Sequence, residues 1–144
     1  MANKITENTT IFEAIHLALT ASIGGKNVLA DIPAHIFNRE SVNEYLTNIK
    51  AGKVVCPPKA SIELFFSKKV ESNYYVGNNN SIVEKSAGVK IIFELNPTCV
   101  EDYNAYIAHK ADVRNIPVEY YHCEWLTFAD NGVVRMSLPV RSNY

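Results

Sequence analysis

The sequence predicts an α+β protein: an antiparallel sheet of about four strands with a long β-hairpin extension, packed on one face by three helices. Three observations predict it. Apolar residues recur at helical spacing in three segments that open on capping residues. Two stretches, 59–69 and 88–95, alternate side by side as strands do. Asn131-Gly132, between aromatic and β-branched runs, is the strongest short hairpin signal a sequence offers. A length of 144 residues fits one domain, 1–144, with one core.

The first helix is predicted over 10–25. Thr10 with Glu13 forms a capping box, and Gly24 and Gly25 supply the stop. Phe12, Ile15, Leu19 and Ile23 form its stripe, while Ile11, Ala14, Leu17 and Ala18 fill the other faces. A helix apolar all round is covered by a core or by a partner, which is a first pointer to self-association. A second helix is expected over 39–51, opened by Asn38 or by a Ser41/Glu44 box and closed by Gly52. Val42, Tyr45, Leu46 and Ile49 give it one inward face. The run "KVVCPPK" then stays extended, because consecutive prolines exclude helix.

Ile62, Leu64 and Phe66 share one face of the next strand, with Glu63 and Phe65 on the other. Val89, Ile91, Phe93 and Leu95 match them on a second strand, with Lys90, Ile92 and Glu94 opposite. The polar stretch between them, "VESNYYVGNNNSIVEKSA", reads as a hairpin turning near Asn79 and Asn80. Its arms would form a ribbon with little core beneath, and such ribbons rest on something. Tyr74, Tyr75, Val76, Ile82 and Val83 are its expected contact residues. Thr98 and Glu101 cap a third helix, 99–112, along which Val100, Tyr103, Ile107 and Ala111 repeat.

The segments 116–128 and 133–140 close the sheet as a hairpin about Asn131-Gly132. A two-residue loop sets Thr127 opposite Met136, Trp125 opposite Leu138 and Cys123 opposite Val140. Cys123 and Trp125 then face the core, and Tyr120, His122, Glu124, Leu126, Arg135 and Ser137 face away. His122 and Cys123 lie on opposite sides of the strand, so they cannot act as a base and its nucleophile. Cys123 reads as an inert buried thiol.

Composition excludes several functions. Hydrophobic content of 47% with 20% charged residues and a formal net charge of -1 describes a globular domain without the basic footprint of a nucleic-acid or anionic-membrane binder. The 8 tyrosines lack the basic groove that base stacking needs. No apolar run reaches the roughly 20 residues of a bilayer span. Glu13 and His16 interrupt the one stretch resembling a signal peptide. Three well-separated cysteines without a C-x-x-C point to a reducing, cytoplasmic setting. No histidine has a second ligand at metal spacing, and no phosphate loop or nucleophile elbow occurs. No catalytic residue, metal or cofactor is therefore assigned.

The outward sheet face mixes Phe65, Ile92 and Tyr120 with His122, Glu124 and Arg135, and aromatics among paired charges mark protein contact surfaces. With Tyr74 and Tyr75 of the ribbon, these are the expected interface residues. The reading is a non-enzymatic protein-interaction module that binds a protein partner and forms a homo-oligomer. A small assembly component or inhibitor protein of a phage or mobile element would suit it. The alternative is a small ligand-binding domain or enzyme using the polar face around His122 and Glu124.

Overall fold

The computed structural model of the chain describes residues 3–4, 22–23, 26–27, 32–67 and 73–132. The elements in chain order are β1 (Asn3–Lys4), β2 (Ser22–Ile23), β3 (Lys26–Asn27), α1 (Arg39–Lys50), β4 (Ala60–Phe65), β5 (Val76–Gly77), β6 (Ser86–Leu95), α2 (Val100–Ala108) and β7 (Tyr121–Thr127). The class is α+β, as the patterning implies, with an antiparallel sheet built around β6. Two α-helices stand among the described residues where three are expected.

Register confirms which faces are shared. β4 pairs with β6 through Ile62↔Ile91 and Leu64↔Val89, and β7 pairs with it through Ile91↔Trp125 and Phe93↔Cys123. Ile62, Leu64, Val89, Ile91 and Phe93 therefore line one side, and all are essentially inaccessible to water. They join Ile36, Phe37, Tyr45, Ile49 and Tyr103 in one buried cluster. Cys123 and Trp125 are half-buried and pack against it. Trp125 thus looks toward the core and His122 away from it, because neighbouring strand residues point to opposite faces. At the far edge, β1 pairs with β4.

The helices follow their caps. The Asn38 side chain accepts from the amides of Glu40 and Ser41 at 2.9 and 3.1 Å, satisfying donors that the first turn leaves open. Gly52 closes α1 at φ 76°, a conformation that costs glycine little. In α2 the cap differs from the expected Thr98/Glu101 box. Asn96 accepts from Thr98 N at 3.0 Å and from its hydroxyl at 2.8 Å, so the chain enters through a 3-10 turn at Pro97–Cys99. The helix is also shorter than expected, breaking at His109 into another 3-10 turn at Lys110–Asp112.

Three expectations need correction. Ile23 belongs to no helix, since Ser22–Ile23 pairs antiparallel with Lys26–Asn27; positions 10–21, the bulk of that first helix, lie outside the described residues. The long hairpin extension is not seen among the described residues. Among the described residues its arms pair at Val76↔Ala87 and Gly77↔Ser86, and an eight-residue loop, 78–85, stands in place of a turn at Asn79 and Asn80. Asn80 explains the wider loop: its amide donates to the carbonyls of Gly77 and Glu84 at 3.3 and 2.8 Å, stapling the loop to itself.

The third correction is the Asn131-Gly132 bend. Leu126 pairs with Gly132, so the chain turns within 127–131 and Asn131-Gly132 begin the return. The Thr127 hydroxyl accepts from the amides of Ala129 and Asn131 at 3.2 and 3.1 Å. Asp130 supplies a left-handed φ of 63°, which aspartate tolerates better than most residues. The Asn131 side-chain Nδ2 donates instead to Tyr74 O at 3.1 Å. A side chain that caps its own loop has outcompeted the two-residue turn. The pairing expected for Met136, Leu138 and Val140 lies outside the described residues.

Beneath the helices, Tyr45 and Tyr103 share a hydroxyl–hydroxyl hydrogen bond of 2.7 Å that ties α1 to α2. Tyr121 donates to Pro58 O at 2.8 Å and meets the Phe37 ring edge-on. Burial pushes the hydroxyls of Tyr45, Tyr103 and Tyr121 up from the ordinary phenol range. A pKa raised by folding gives stability that is complete below the unfolded value, about pH 10, and is lost as pH rises through the folded values. Phenolate absorbance should therefore show these three tyrosines silent through about pH 10, then ionising together as the fold opens. Uniform titration of all tyrosines near pH 10, with no loss of fold, would contradict this packing.

Candidate functional site

The outward face of the sheet divides into two ends. At one end the 78–85 loop folds back over it. Glu63, only 3% exposed, accepts from Ser81 N at 3.1 Å, and Lys90 donates to Asn79 Oδ1 at 2.8 Å. Asn79 also bonds to Asp130. The Phe65 ring packs against Phe128 at 4.8 Å between centroids. This end is sealed, and its charges are internal staples.

At the other end, Lys59 pairs with Glu94 at 3.0 Å, and His122 Nε2 stands 3.7 Å from Glu94 Oε1. Glu124 is exposed, opposite the half-buried Ile92. His122 Nε2 is buried and finds no hydrogen-bond partner among the described residues, and Trp125 Nε1 is the same on the core side. An unmet buried polar atom calls for a partner, and Glu94 lies beyond hydrogen-bond reach.

The residues expected to form one interface are thus dispersed. Phe65 is capped by Phe128. Tyr75 is buried against Phe66, and Tyr74 is half-buried with its hydroxyl donating to Gly132 O. Tyr120 is displaced from the outward face: Val118–Tyr120 forms a 3-10 turn, and the ring packs on Tyr106 at 5.9 Å. Pro117 starts that turn, so the strand begins at Tyr121. Only Ile92, His122 and Glu124 remain together, and Arg135 lies outside the described residues. Cys123 is on the core side, where burial pushes its thiol pKa up. It is no ready thiolate.

A different surface stands out. Between the end of α1, the 52–57 segment and α2 lies a groove of about 600 Å³, lined by Ile49, Val55, Leu95, Val100, Tyr103 and Ile107 among others. Lys53 is the only charged residue among those that line it. Val54, on its lining, is fully exposed, and Val100 is 40% exposed. Across Val55 and Cys56 a smaller hollow of about 280 Å³ is lined by Ser41, Glu44 and Asn48. The Tyr45–Tyr103 bond and the Tyr121–Pro58 bond hold the flanking elements in place.

The groove escaped sequence reasoning because Val100 belongs to a correctly spaced helical stripe. Shortening of α2 and its entry through a 3-10 turn leave that residue at the helix mouth. A signal was nonetheless present in "KVVCPPK": an apolar connector that the prolines keep out of both helix and sheet. Connecting segments run over the surface, so apolar side chains there are exposed. No family model matches the chain, and no curated protein or solved structure matches it either. Among the described residues no helix is long and apolar enough to cross a membrane.

Proposed function

We propose that this protein is a non-enzymatic interaction module that binds protein surfaces and associates with itself, with the groove beside α2 as its contact surface. The observation that carries this reading is the fully exposed Val54 on the lining of a groove whose other contacts are almost all apolar. Exposed apolar patches rimmed by polar residues mark protein contact sites. A reducing, cytoplasmic setting fits the three cysteines, all of which are free.

Light scattering of the full chain tests the proposal. The wild type is expected to run as an assembly larger than one chain. Val54→Asp should raise the dissociation constant at least about a hundredfold, since each copy in a symmetric pair forfeits about 1.5 kcal/mol of apolar burial. Val54 is exposed, so the variant should fold normally. A monomeric wild type, or a variant that assembles equally well, would end the proposal.

A further inference from the structure

The groove and the hollow suggest how a second copy sits, an inference that rests on the self-association reading above. Val55 and Cys56 line both depressions, so the two flank one extended segment. Lys53 is the charged residue of one and Glu44 that of the other. Both are exposed, and neither forms an ion pair with its own chain among the described residues.

In a two-fold dimer the same patch serves on both copies, with the axis lying in the interface. If the axis runs along Val55–Cys56, a half turn exchanges the two sides of that segment. Each groove then meets the other copy's hollow, which sets each Lys53 on the same side as Glu44 of the partner subunit. If instead the axis crosses the segment, groove meets groove and lysine meets lysine. Like charges set face to face are costly and opposite ones fix register, so charge selects the first arrangement. A net charge of -1 leaves little long-range repulsion between copies. We propose that this protein forms a two-fold dimer about the Val55–Cys56 segment, seating groove on hollow through reciprocal Lys53–Glu44 pairs. Val54 is covered in this arrangement, and the two exposed Cys56 thiols lie near the axis.

Charge exchange and cross-linking of the full chain test this. Lys53→Glu and Glu44→Lys should each weaken the dimer about tenfold, because each change opposes like charges at two symmetric places. The double variant should return to within about threefold of wild type, since both pairs are re-formed with reversed sign. A short thiol-reactive cross-linker should join wild-type chains, and Cys56→Ser should abolish the product. A wild-type dimer whose double variant is no better than the singles, or which cross-links without Cys56, overturns this geometry and leaves self-association standing. A wild-type monomer removes both. A monomer that binds decanoate in a Lys53-dependent way would assign the groove to a small amphipathic anion and likewise overturn the dimer.

Discussion

Phe93→Ala is expected to destabilise the fold by about 3–5 kcal/mol, the usual cost of truncating a buried phenylalanine. Phe93 is completely buried on the central strand, between Ala60 on one neighbour and Cys123 on the other. Both flanking side chains are small, so little apolar bulk stands beside it on the sheet to close over the cavity. A domain of this size has total stability of about 5–15 kcal/mol, and the loss would take about a fifth of it or more. Ile92→Ala is the control, one residue along the same strand but half-buried on the outward face. It should cost under about 1.5 kcal/mol, because most of its area is not in the cluster. Urea unfolding checks both, with the slope unchanged. Equal losses would mean that the core lies on the other side of the sheet.

That contrast also shows what was legible beforehand. Alternation in 60–66 and 88–95, broken only by Phe65 and Ile92, announces the core face because a one-residue slip would turn most of the apolar side chains outward. Trp125 fell on the correct side because its large apolar area marks its face as the core one, although the turn used to set its register is not the turn that forms. Parity along one strand survives a wrong loop. Cross-strand partners do not: Leu126 meets Gly132, far from the pairing expected of an Asn-Gly bend. The failures share a cause. Asn80, Asn96, Thr127 and Asn131 each commit a side chain to a nearby or distant backbone group, and such bonds leave no periodic trace. The candidate surface was harder still. It is made by Val54, Val55, Val100 and Ile107 meeting across an extended segment and a helix, a juxtaposition that only tertiary packing creates.

Gly77→Ala is expected to cost about 3 kcal/mol, the upper part of the range for overpacking. A Cβ built on Gly77 would lie 1.9 Å from Phe128 O, 2.4 Å from Phe128 C and 2.7 Å from Ala129 Cα. All three are backbone atoms, so no side chain can swing aside to make room. The crowding follows from topology. Gly88 donates to Tyr75 O at 3.1 Å and accepts from Phe128 N at 3.0 Å, and a strand residue aims both groups at one edge. β5 and the end of β7 therefore meet along the same side of β6, leaving no space for a methyl group between them. Separating them would break the Asn79 N–Phe128 O bond of 3.0 Å and loosen the loop that covers Glu63. Hydrogen exchange should accordingly quicken at the Asn79 and Ser81 amides while the centre of β6 stays protected. Gly132→Ala provides the comparison: nothing lies within 4 Å of its would-be Cβ, so its effect should stay within about 0.5 kcal/mol. Were the two alanine variants equally stable, the packing of β5 against the turn after β7 would be wrong, and with it the reason the outward sheet face is closed at that end.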